Sequence, residues 1–233
     1  MRIEKHNKTA LLLGAHELVG RKCLLRLLQH EAYSKVVLLL EEPLNFQHSK
    51  LEVHTLNFEH LSRYKALFQV DDVYYCWGKQ MKIRFMPKNY SPQKTYAYEL
   101  AKLSLEQGAH QFMMLSSIGA ASNNVLSYRR EHWELENAIS ELPFWSVHLF
   151  RTGILLEDDK PSTGTRLVKN LSRRINHLAG GNLSKYAPVS APSLAAFMIH
   201  QAQQLIEGIH IYSAEYINEA AGKLNEGLTK HHG

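Results

Sequence analysis

Residues 9–20, TALLLGAHELVG, decide the fold. Thr9–Gly14 is a short apolar run that closes on glycine, the pattern of a strand buried on both faces. From Leu18 to His30 the residues Val19, Cys23, Leu24, Leu27 and Leu28 fall at helical spacing. Lys35–Leu40 (KVVLLL) is a second buried strand, closed by Glu41, Glu42 and Pro43. Strand, glycine turn, helix and strand within about 30 residues make a crossover, and a crossover makes its two strands parallel.

The alternation continues outward from this unit. Leu51–Leu56 reads as a strand, Glu59–Phe68 as a short helix and Asp72–Trp77 as a strand. Lys94–Gln107 is a helix, and Gln111–Ser116 is a strand running into two serines. Val125–Ser140 is a helix stopped before Pro143, and Trp145–Arg151 is a sixth strand. Six strands alternating with helices predict an α/β fold with a doubly wound parallel sheet. After Gly153 come a polar loop, a basic helix carrying Lys169, Arg173 and Arg174, a helix over Ser193–Leu205 and a short strand at Ile209–Tyr212. These are expected to form a small C-terminal, substrate-side lobe, about 154–233, within a single domain of residues 1–233.

The 233 residues are 45% hydrophobic and 21% charged, enough to bury a sizeable core. The net charge of +5 comes from scattered Lys and Arg, so a nucleic-acid partner is not expected. The basic helix is read first as a solvated face, with an anionic partner as the alternative. Fourteen His residues match no zinc spacing, and no metal is expected. Cys23 and Cys76 make no disulfide framework and suit a reducing compartment, which with the lack of any apolar run of about 20 residues gives an expected cytoplasmic location and no membrane partner. Thr9–Ala15 is too short for a signal peptide and runs into His16 and Glu17.

Several short motifs follow one another in order: Gly14 and Gly20 around five residues, Asn57–Phe58, Gly78 after a strand, Ser116–Ser117–Ile118–Gly119–Ala120, Tyr128, and Phe150–Arg151–Thr152–Gly153. From Thr9 to about Ile199 the chain resembles the atypical short-chain dehydrogenase/reductase superfamily, nearest to its Tat-interacting-protein-like and NmrA-like NAD(P)-binding members. The resemblance implies a Rossmann fold, a nicotinamide dinucleotide and, in active members, a Ser–Tyr–Lys hydride-transfer site. It implies that Gly14, Leu18, Val19 and Gly20 line the pyrophosphate with Glu17 in the middle, that Asn57 meets the adenine amino group, and that Gly78 borders the cofactor. Tyr128 would be the acid/base, Ser117 the hydroxyl partner with Ser116 second, and His132 stands where the family has lysine.

The departures have chemical consequences. Glu17 replaces the middle glycine, setting a carboxylate beside a dianionic pyrophosphate or, at a helix N-terminus, in place to cap free N–H groups and compete with the phosphate. Glu41 favours the free ribose hydroxyls of NAD over the 2′-phosphate of NADP, or is simply a surface turn residue. His132 carries no permanent cation near neutral pH, which leaves the Tyr128 phenol mostly protonated. Two readings follow. One is an NAD-linked oxidoreductase acting on a small carbonyl or alcohol, with reduced or lost activity. The other is a non-catalytic protein that senses a dinucleotide or binds a protein partner; a homo-oligomer is compatible with both.

Overall fold

The computed structural model describes residues 6–77, 95–117, 127–157 and 187–230, with side chains described outside 127–131 and 224–230. β1 (Lys8–Leu13) leads into α1 (Leu18–Gln29) and β2 (Tyr33–Leu40), followed by β3 (Leu51–Thr55) and a kinked 3₁₀ segment at Phe58–Phe68. Next come β4 (Asp72–Tyr75), α2 (Tyr96–Glu106), β5 (Gln111–Ser117), α3 (Ser127–Ser140) and β6 (Ser146–Thr152). Two short strands, β7 (Leu155–Leu156) and β8 (Val189–Ser190), pair with each other, and α4 (Ala191–Gln204), β9 (Gly208–Ser213) and α5 (Ala214–Lys230) complete the order.

The main sheet runs β3-β2-β1-β4-β5-β6-β9, and every pairing in it is parallel. The chain first moves outward from β1 to β3, then returns to the far side of β1 at β4. That reversal makes the crevice between β1 and β4 the topological switch point, where open α/β sheets bind ligands. The doubly wound parallel sheet read from the sequence is therefore observed, with a seventh strand added. β9 comes from within residues 154–233, the segment expected to form a lobe, and it extends the sheet beyond β6.

Alternation along each central strand divides the core in two. Ala10 and Leu12 face Val19, Cys23 and Leu27 of α1 and Leu194, Phe197 and Met198 of α4. Leu11 and Leu13 face the opposite layer, with Leu61, Phe68, Leu100 of α2 and Leu135 and Ile139 of α3. A strand covered on both faces has to be apolar at every position, which is why residues 10–13 read as an unbroken run. Each fully buried leucine here contributes about 1.5–3 kcal/mol.

The N-terminal ends of the strands hold a buried polar layer. Lys8 pairs with Asp72, whose carboxylate also accepts from Tyr33 Oη at 2.5 Å and Gln111 Nε2 at 2.9 Å. Gln111 Nε2 also donates to the Ala202 carbonyl of α4 at 2.9 Å, and Gln203 reaches Tyr33 Oη at 2.9 Å. Alongside, His148 bridges Ser146 Oγ at 2.9 Å and Tyr212 Oη at 3.0 Å. This layer fixes α4 on the sheet, leaving the opposite, C-terminal ends for a ligand.

Candidate functional site

Gly14 and Gly20 are both demanded by contact. Gly14 has φ +80°, a left-handed conformation that a side chain strains to adopt, and a Cβ there would lie 2.9 Å from the Cys76 carbonyl carbon and the Trp77 nitrogen. A Cβ on Gly20 would lie 1.9 Å from the Gly14 carbonyl oxygen. α1 thus starts in backbone contact with the turn leaving β1, and the turn lies directly against the residues leaving β4. Both glycines therefore stand where the strand–turn–helix reading puts them.

Glu17 is placed differently from the capping role considered for it. It is the N-cap residue of α1, with extended backbone (φ −74°, ψ 160°), and its side chain makes no cap hydrogen bond. Its backbone N–H donates to the Gly14 carbonyl at 2.9 Å, closing the turn. The side chain is 18% exposed, with Oε1 buried and lacking a hydrogen-bond partner; His16 Nε2 stands 3.8 Å away, beyond hydrogen-bonding reach. The Cys76 thiol is pushed well above its ordinary range, first by its hydrogen bond with Cys23, then by burial, with the charge on Glu17 adding to the rise. Cys23 and Cys76 are free and buried, with sulfurs 3.8 Å apart.

Glu41 follows β2 and is exposed at that strand's C-terminal end. Asn57, at the end of β3, accepts the Glu59 N–H through Oδ1 at 2.8 Å and so caps the 3₁₀ segment. The oxygen offered to an adenine amino group is therefore already a helix cap, and only its second lone pair remains for a ligand. Tyr96 joins these residues without having been singled out in the sequence. Its phenol is raised above the ordinary value, by burial first and then by the carboxylates Glu59, Glu99 and Glu41. Burial also raises the Glu99 carboxyl. Glu41, Glu59 and Glu99 thus all lie close enough to Tyr96 to act on its phenol.

On the other side of the switch point, β5 ends at Ser116 and Ser117, paired in register with Arg151 and Thr152 of β6. Ser116 is 5% exposed and its hydroxyl lacks a hydrogen-bond partner, whereas Ser117 is half-buried. Strand alternation sets Ser116 on the α3 side, with Phe112 and Met114, and Ser117 on the α1 side, with Met113 and Leu115. Tyr128 lies in the first turn of α3 and His132, half-buried, one turn on; the Tyr128 side chain lies outside the described residues, as does Gly78. Residues 158–186, with the expected basic helix, lie outside them as well.

The sequence marks Arg151 only as the end of a strand and part of the Phe150–Gly153 motif, and gives Glu136 no role. Arg151 Nε donates to both oxygens of Glu136, at 3.2 and 3.1 Å, and Nη2 donates to Oε2 at 2.6 Å. Glu136 is 1% exposed on the face of α3 that meets the sheet. The one available signal was its spacing, eight residues after Tyr128 and four after His132. Among the described residues no group of three or more His, Cys, Asp or Glu is placed to hold a metal, and no helix is long and apolar enough to cross a membrane.

No family model matches the chain. Among curated proteins it is 29% identical over 160 residues to Protein HTATIP2 of Rattus norvegicus, a match covering 67% of this chain and 66% of that protein, just under two thirds of it. It is 24% identical over 208 residues to the mitochondrial Protein FMP52 of Candida albicans, covering 86% of the chain and 90% of the relative. Among solved structures, the Bordetella bronchiseptica enzyme WbmH in complex with NAD+ superposes with a TM-score of 0.61 at 13% identity, over 96% of this chain and 82% of that one. The structural likeness shows a shared fold, one that holds NAD in that neighbour. The curated relatives bear out the family resemblance that the ordered motifs carry.

Proposed function

We infer that this chain, a member of the atypical short-chain dehydrogenase/reductase superfamily, binds a nicotinamide dinucleotide across the β1–β4 switch point. One observation carries the reading: the start of α1 is drawn against the turn so closely that Gly20 tolerates no Cβ. In such folds the first N–H groups of the helix after this turn meet the pyrophosphate, and that role falls here to Leu18 and Val19. NAD is favoured over NADP, because Glu41 stands exposed just past the C-terminal end of β2, where an acidic side chain suits the free ribose hydroxyls and repels a 2′-phosphate. Titration calorimetry with NAD, NADH, NADP and NADPH tests this. Binding of NADPH in preference to NADH would overturn the assignment to NAD, and no binding at all would remove the cofactor.

The chemistry proposed at this site is hydride transfer between NAD and a small carbonyl or alcohol. Tyr128 serves as the acid/base, Ser117 polarises the carbonyl, and His132 takes the place of the family's lysine. Without a permanent cation at 132 the phenol keeps its proton near neutral pH, so it donates to a carbonyl more readily than it accepts from an alcohol. Tyr128→Phe is expected to abolish turnover with NADH binding unchanged.

A second reading, dinucleotide sensing or partner binding without catalysis, is favoured by the unpartnered carboxylate oxygen of Glu17 at the middle of the loop. It requires Tyr128→Phe to be silent in every assay. The cytoplasm is proposed for the chain because two buried cysteines without a disulfide suit a reducing compartment, while FMP52 is named as mitochondrial; fractionation of cells decides between these locations.

A further inference from the structure

We propose that the Glu136–Arg151 ion pair is a positioning device, holding the stripe of α3 that carries Tyr128 and His132 against the C-terminal ends of β5 and β6. The inference rests on the dinucleotide reading above and adds to it the element that orients the nicotinamide end. Tyr128, His132 and Glu136 recur at four-residue intervals, so they share one stripe of the helix, and Tyr128 stands about 12 Å along the axis from Glu136. Arg151 is the next-to-last residue of β6, at the ligand end of the sheet. It sits in register with Ser116, whose buried hydroxyl lacks a hydrogen-bond partner.

Packing alone gives no reason for charges here. Glu136 is buried beside Leu135, Ala138 and Ile139, and an apolar pair of similar volume would hold the helix to the sheet at least as well. What the ion pair adds is geometry. Three hydrogen bonds from one planar guanidinium to one carboxylate fix both the rotation of α3 and its position along its own axis. Leucines pack with latitude in both, and a small rotation at Glu136 swings the first turn of α3, where Tyr128 lies. The pair touches neither substrate nor cofactor; it acts through the helix.

The test uses the full chain and two ligands that divide the site. AMP probes the adenylate half, held at the Gly14–Gly20 turn and the ends of β2 and β3. NADH probes both halves. In the double variant Glu136→Leu/Arg151→Met the thermal midpoint and AMP affinity are expected to stay at wild-type values, while NADH affinity falls about tenfold. Arg151→Lys, which keeps the charge and loses the fork, is expected to fall between the two. If the double variant fails to fold, Glu136→Gln with the same two ligands takes its place. Equal losses for AMP and NADH, or wild-type NADH affinity in the double variant or in Arg151→Lys, would overturn the positioning role while the dinucleotide reading stands. A wild-type chain that does not bind NADH would overturn both.

Discussion

Substituting Gly20 by alanine tests the turn on which the functional reading depends. The new methyl would stand 1.9 Å from the Gly14 carbonyl oxygen and 2.7 Å from its carbon, where real Cβ contacts essentially never fall below 3.0 Å. Helix and turn would have to part by about 1.1 Å, and the turn cannot retreat, because Gly14 already lies against the Cys76–Trp77 peptide. Both clashing partners are backbone, so the cost belongs at the upper end of overpacking, about 3 kcal/mol. Alanine returns about 1 kcal/mol in helix propensity, leaving a net loss of about 2 kcal/mol. In a chain of this length that lowers the thermal midpoint by about 4–8 °C. Gly222→Ala is the matched control. It lies in α5 with nothing within 4 Å of the added methyl, so it is expected to gain up to about 1 kcal/mol. Scanning calorimetry compares the two variants, and titration with NADH should show binding lost only in Gly20→Ala. If Gly20→Ala matches Gly222→Ala in stability, the contact between turn and helix is not as described.

Two further outcomes follow from the polar layer at the other end of the sheet. His148 is held down at a pKa of about 3 by burial, with His210 adding to the effect, so the fold keeps it neutral while the unfolded chain titrates near 6.5. The unfolded state therefore binds the extra proton; this stability is complete above about pH 6.5 and drains as pH falls towards 3, by at most about 1.4 kcal/mol per pH unit. Urea midpoints at pH 7 and pH 5 should fall more for the wild type than for His148→Gln, and equal falls would count against the buried neutral ring. Lys8→Met takes the cation from a fully buried Asp72 and should cost about 3–5 kcal/mol in a denaturant titration. A cost below about 1 kcal/mol would mean that Asp72 is protonated in the fold, the direction in which its burial pushes it.

What the sequence made legible was whatever is local. The β1–turn–α1 unit carries its own periodicity and its own glycines, and both survive unchanged in three dimensions. β9 was visible as a strand but not as part of the sheet. Ile209 and Ile211 are half exposed at an edge, so the segment lacks the unbroken apolar run of a central strand. α5 escaped notice because its Asn, Glu, Lys and Gly residues hide a narrow apolar stripe, Ile217 and Ala221. The Glu136–Arg151 pair and the His148–Tyr212 network join residues 15 and 64 positions apart, and no window of sequence spacing reports such contacts. Asn57, considered for a ligand, also serves as a helix cap, whereas Glu17, considered for a cap, makes no cap hydrogen bond.

That exchange of roles bears on the strongest objection to a cofactor. A carboxylate in the middle of the loop opposes a pyrophosphate in two ways, by occupying the N–H donors of the helix start and by repelling the anion. The first is absent, since the Glu17 side chain makes no cap hydrogen bond. Only repulsion remains, about 3 kcal/mol for unit charges some 6 Å apart at an effective dielectric near 20, less what solvent screens from a partly exposed group. Dinucleotides bind such folds through many other contacts, so repulsion of this size weakens binding without forbidding it. Glu17→Gly should accordingly tighten NADH by about tenfold or more, with the gain shrinking as salt is raised. It should also relieve the unpartnered Oε1, so the thermal midpoint should hold or rise even though glycine is the more flexible residue. An unchanged NADH affinity in Glu17→Gly would mean that the carboxylate never faces the phosphates, and that whatever reduces affinity lies elsewhere in the site.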